Sequence, residues 1–205
     1  MYSATHKMIA AIVHGHIQDE LGVSLDLKAF KSGSIAPDIR LSMRTIKHNR
    51  KGSYDLVRSI GNGLIDNDYS TEEISMKEFS YKLGIIIHFV CDYFCTPHNN
   101  EKYKNIVKHL TYEKRLESFA FKKADWNIPS LNEAIVNNLW KVSSFEEVIM
   151  DKSKEYYETS KTSFSNDMEF AITVSTLTTL IIVRKALVFN RSNNIGVTGI
   201  KFMPA

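Results

Sequence analysis

His88 and Asp92 stand four residues apart inside an otherwise apolar run, residues 83–95. His109 and Glu113 repeat that spacing further on, and His98 lies between the two pairs. On a helix, positions i and i+4 share a face one turn apart. Each pair therefore offers an imidazole nitrogen and a carboxylate oxygen to a common point. A lone histidine in an apolar helix is ordinarily a core residue with one satisfied hydrogen bond. Asp92 is different, because a carboxylate in such a run is costly to bury without a strong partner. Three imidazoles and two carboxylates form a donor set that zinc accepts without thiolate, leaving positions open for water and substrate.

Helices are needed to hold these residues, and the pattern of apolar positions supplies them. Residues 3–20 carry Met8, Ile9, Ile12, Val13 and Ile17 at helical spacing, with Gly22 as a stop. A short helix is expected at 27–31, then a loop at 33–38, where small residues before Pro37 permit a tight turn. Position alone leaves Asp38 open between a helix cap and a site residue. His48, in the polar stretch 47–50, reads as an exposed loop histidine. After a loop at 49–53 come a helix at 54–65, a capping box from Ser70 to Glu73, and a central helix running from about Met76 to Cys95. Further helices are expected at 103–124, 131–139, 144–159 and 167–189. The last is apolar nearly all round and should pack centrally against the helices bearing the donors. Few stretches alternate with period two. The expected fold is therefore all-α, a single-domain multi-helix bundle over residues 1–205 with metals between helices, and 190–205 as an irregular tail.

The series His88-x3-Asp92-x5-His98-x10-His109-x3-Glu113 resembles the ligand series of the zinc-dependent phospholipase C superfamily, which also includes the single-strand-specific zinc nucleases. Other family pieces appear in order. Thr5-His6-Lys7-Met8-Ile9 looks like the N-terminal histidine segment, Gly33-Ser34-Ile35-Ala36-Pro37-Asp38 looks like the loop aspartate, and His48 follows at about the expected distance. The likeness covers roughly the first 115 residues. Cys91 stands where the stricter phospholipase pattern has a small residue, Phe94 where it has a polar one, and Pro97 one place late. These departures bear on the substrate more than on the metals.

The resemblance implies a trinuclear site holding two to three zinc ions. One ion would be held by His48, His88 and Asp92 with Asp38 near or on it, a second by His98, His109 and Glu113, and a third by His6, the Met1 terminus and a bridging Asp92. Related proteins use their mature N-terminus in this way, and here the α-amine of Met1 is expected to serve. The implied reaction is attack of metal-bound hydroxide in line on the phosphorus of a phosphodiester, with Asp38 as base or orienting group.

Composition bounds the rest. At 205 residues and 43% hydrophobic, the chain suits one sizeable core. A net charge of +3 does not by itself argue for nucleic acid or an anionic membrane. Lys102, Lys104, Lys108, Lys114, Arg115, Lys122 and Lys123 gather on an acid-interspersed stretch and read as a solvated face. Cys91 and Cys95, four apart, are poorly placed for a disulfide and read as reduced core thiols. No apolar leader precedes the first helix, and the expected location is cytoplasmic. The absence of a His-Asp dipeptide disfavours an HD-type phosphohydrolase. A phospholipid or related phosphodiester is favoured over nucleic acid as substrate, with transient membrane-surface contact and no obligate protein partner. Tyr2, Tyr54, Phe89, Tyr93, Phe94 and Tyr103 are candidates to line an apolar approach or to stack bases. A non-catalytic protein whose metals only staple the helices is the competing class.

Overall fold

A computed structural model describes residues 1–66, 74–123, 126, 128, 131, 144–159 and 162–192, with side chains to 188 in the last segment. The described residues form α-helices α1 Ser3–Leu21, α2 Leu27–Gly33, α3 Ala36–Ile39, α4 Arg50–Asp66, α5 Met76–Tyr93, α6 Thr96–Asn99, α7 Ile106–Lys122, α8 Phe145–Glu158 and α9 Phe164–Ser192. No strand occurs among them, as the all-α expectation required. The expected capping box at 70–73 and all of the helix at 131–139 except Leu131 lie outside the described residues, as does the tail from 193 onward.

Local chemistry explains where the boundaries depart from expectation. Helix α4 starts at Arg50 rather than 54, because the Asn49 side chain accepts from the Gly52 amide at 3.0 Å and so caps a turn expected to be loop. The stretch 33–38 is not wholly loop: Pro37 sits in the first turn of α3, a favoured place for a residue without an amide hydrogen, and Asp38 follows on that turn. Helix α5 ends at Tyr93, and Cys95 turns extended (φ −110°, ψ 118°) before α6. Two asparagine caps divide the region expected to start one helix at 103. Asn100 caps a 3-10 turn at Glu101–Tyr103, and Asn105 caps α7, accepting from Val107 and Lys108. At the other end, α9 runs three residues beyond 189, so 190–192 are helical rather than tail.

Helix α9 is the central post, packing against α1, α4, α5 and α8. Met168, Ala171, Ile172, Val174, Leu177, Leu180, Ile181 and Ile182 are all buried, on every side of the helix. Each large aliphatic side chain so buried contributes roughly 1.5–3 kcal/mol. By length and composition Phe164–Val188 could cross a membrane, with mean hydropathy 1.6, but 78% of that window is buried inside the fold.

Helices α2 and α5 cross at two glycines. A Cβ on Gly84 would overlap the Phe30 carbonyl and crowd Gly33, and one on Gly33 would overlap the Tyr81 carbonyl. Without those carbons the two backbones touch, which brings the Ser34 carbonyl against His88, one turn beyond Gly84.

Candidate metal centre

Asp92 is the middle of the site. It is fully buried on α5, and its two oxygens face different donors. Oδ2 lies 2.9 Å from His48 Nδ1 and 3.4 Å from His88 Nε2. Oδ1 lies 2.6 Å from the Met1 amine and 3.4 Å from both His6 Nε2 and His98 Nε2.

On the Oδ2 side, His48 Nδ1 and His88 Nε2 are 3.2 Å apart, and Asp38 Oδ1 is 3.7 Å from the first and 3.6 Å from the second. Four donors tetrahedrally arranged about zinc at ~2.0–2.1 Å would stand about 3.3 Å from one another. Asp38, His48, His88 and Asp92 fit that group. His88 also has the support that a ligating imidazole needs. Its Nδ1 donates to the Ser34 carbonyl at 2.9 Å, which fixes the tautomer and leaves the Nε2 lone pair facing the centre.

On the other side, Glu113 Oε1 accepts from His109 Nε2 at 2.9 Å and lies 3.1 Å from His98 Nε2. The Met1 amine joins this set, 3.2 Å from His98 Nε2 and 3.0 Å from Glu113 Oε1. It thus stands between the second and third expected groups rather than with His6 alone. His6 is fully buried, stacks on His88 with ring centroids 4.1 Å apart, and makes no hydrogen bond through either ring nitrogen. An orphaned buried imidazole beside a carboxylate is what a donor to a cation looks like.

Electrostatics point the same way. Burial pushes the His88 and His98 rings below the usual imidazole range, keeping them neutral. Burial would raise Asp92, but His98, the Met1 amine and His6 hold it well below the ordinary carboxylate range. Burial likewise opposes ionisation of Glu113, and the amine with the two imidazole contacts overrides it. Neutral imidazoles and ionised carboxylates are the forms that bind metal. His48 goes the other way: burial lowers it, but its contact with Asp92 raises it further. The Met1 amine, which burial alone would discharge, is held as ammonium mainly by Asp92.

All nine sequence-derived site residues meet in this cluster. Of the aromatic candidates, Phe89, Tyr93 and Phe94 are buried in the core and cannot meet a substrate, because the chain from Leu83 to Pro97 is covered on all sides. Tyr103 does line a cleft of about 590 Å³ that opens on His98 and His109.

Three contributors were missed. Cys95, set aside as a core thiol, is free and buried as expected, yet its sulfur lies with the His98 and Glu113 donors, all within 4.8 Å of one another. Ser34 acts through its backbone, which side-chain reading cannot detect. Asp167 on α9 accepts from the Thr96 amide at 2.8 Å and hydroxyl at 3.0 Å, from Tyr112 at 2.9 Å and from Tyr156 at 2.7 Å. It thereby fixes Thr96, two residues before His98. An aspartate opening an apolar helix was the available signal.

A family model described as zinc dependent phospholipase C matches residues 5–163. No curated protein and no solved structure gives a significant match.

Proposed function

The chain belongs to the zinc-dependent phospholipase C family, and we propose that it is a zinc-dependent phosphodiester hydrolase acting on phospholipid. The observation that carries this reading is the division of Asp92 between two donor sets, Oδ2 toward His48 and His88, Oδ1 toward Met1, His6 and His98. A site that only staples helices needs no shared carboxylate beside an open cleft.

In this reading Asp38, His48, His88 and Asp92 would hold one zinc ion, and His98, His109 and Glu113 a second. His6, Asp92 and the Met1 amine complete the set, the amine binding in its uncharged form. Bound zinc ions supply a water acidified toward neutral pH and positive charge for the phosphoryl oxygens. The residues do the rest. Asp38 is the most exposed carboxylate of the set, with a side chain 30% accessible, and burial raises its pKa. A base with a raised pKa suits removal of a proton from the attacking water. The Ser34 carbonyl keeps His88 aligned through the reaction. The water oxygen bonds to phosphorus as the bond to the leaving oxygen breaks, and the proton taken by Asp38 passes to that oxygen, giving a phosphomonoester and an alcohol.

The test is zinc content of untagged protein by elemental analysis, with phospholipid and generic phosphodiester hydrolysis assayed before and after chelation. Two to three zinc ions with chelator-sensitive turnover support the reading. Bound zinc without turnover favours a structural role, and no zinc rejects the site.

A further inference from the structure

The cleft beside His98 and His109 contains a guanidinium with no anion. Arg50, half-buried at the start of α4, donates to a neutral acceptor, the Met150 thioether at 2.9 Å, and Tyr157, which lines the same cleft, is a neutral phenol. The Arg50 Nε is buried with no partner, and no ion pair joins Arg50 to any carboxylate among the described residues. A buried donor without a partner is costly, and arginine's planar fork is shaped for bidentate contact with phosphate or carboxylate. Lys51 lines the same cleft. Among the described residues that line the cleft the one carboxylate, Glu101, is already paired with Lys104. Among the described lining residues no free carboxylate is left to neutralise a quaternary ammonium group.

We propose that Arg50, with Lys51 beside it, anchors a second anionic group of the substrate, so that the preferred lipid carries a phosphate or carboxylate on its headgroup rather than a choline. This rests on the phospholipase reading and names its substrate class. The scissile phosphodiester lies at the donors of His98 and His109, and the headgroup extends along the cleft toward Arg50. Binding an anion there completes the guanidinium's hydrogen bonding, which a cationic headgroup would oppose.

The experiment compares untagged, zinc-loaded wild type with Arg50→Gln and Arg50→Lys. Each is assayed with monomeric short-chain phosphatidylinositol 4-phosphate and phosphatidylcholine, and titrated calorimetrically with inositol 1,4-bisphosphate. Helicity and zinc content establish that the variants fold and load. Wild type is expected to favour the phosphoinositide at least tenfold in kcat/KM. Arg50→Gln should collapse that ratio toward one, chiefly through KM, and weaken bisphosphate binding at least tenfold, while Arg50→Lys retains part of both. A wild type that prefers choline lipid, or an Arg50→Gln variant that lowers both substrates equally, overturns the proposal. If neither lipid is hydrolysed the phospholipase reading fails, and the bisphosphate titration still decides whether Arg50 binds an anion. Preference for an oligonucleotide over both lipids, weakened by Arg50→Gln, overturns the lipid assignment.

Discussion

Ser34 and His88 are joined by a 2.9 Å hydrogen bond from the ring Nδ1 to the backbone carbonyl. The bond depends on the α2–α5 crossing, where the glycines at 33 and 84 let the two backbones touch.

Gly84→Ala should therefore destabilise the fold although alanine is the better helix former. Overpacking of this kind costs about 1–3 kcal/mol, against a helix-propensity gain of about 1 kcal/mol. Denaturant unfolding should show a lower midpoint, and zinc titration a weaker affinity. A midpoint at or above wild type would refute the crossing argument.

Asp92→Asn removes the charge seen by both donor sets. Changes to groups that only support a ligand cost about 10–100-fold in metal affinity or activity, and losing the shared carboxylate should exceed that. Elemental analysis should find less zinc per chain in a variant that keeps its helicity. A full zinc complement would mean that the two sets are independent.

The Met1 terminal nitrogen reaches Asp92, His98 and Glu113. Placing Gly-Ser ahead of Met1 turns that nitrogen into an amide, neither cation nor ligand. Tagged protein should hold about one zinc ion fewer than untagged, and equal counts would remove the amine from the set.

Chelation should lower thermal stability. Metal that binds only the folded chain stabilises it by about 2.7 kcal/mol at a hundred times Kd. For a chain of this size each kcal/mol moves the midpoint by about 2–4 °C. Scanning calorimetry with and without chelator reads the shift directly, and superimposed transitions would argue against a bound metal.

Burial pushes the Cys91 thiol from 9.0 up to about 12. The folded chain keeps this proton where the unfolded chain releases it, so the stability it contributes is present below pH 9.0 and lost as pH rises toward 12. Burial raises Cys95 as well. At pH 8 neither thiol should react with a thiol reagent until denaturant is added. Prompt reaction of two thiols in native protein would contradict the packing of α5 and α9.

The donors were legible because their chemistry is costly to bury for any other reason. Asp92 in an apolar run announced a partner, and helical spacing paired it with His88. The fold class followed from the same periodicity. What stayed hidden acts through backbone or through distance. Asparagines 49, 100 and 105 reset helix starts by local capping, which competes with periodicity over a single turn. Ser34 contributes only a carbonyl. Asp167 gave no sign of which hydroxyls it would gather, since Thr96, Tyr112 and Tyr156 come from three separate elements. Arg50 falls in the stretch 49–53 expected to be loop, where nothing in the sequence marks it, and only the cleft sets it apart.

All nine candidate donors are encoded by residue 113, but α1, α5 and α7, which carry His6, His88, Asp92, His109 and Glu113, pack against α9, residues 164–192. During synthesis the histidines and carboxylates leave the ribosome well before the post that seats them, and Asp167 cannot tie down Thr96 until α9 is made. Contacts so distant in sequence form late. Assembly of the donor cluster thus waits on α9: until that helix is made, the nascent chain presents the ligands loose.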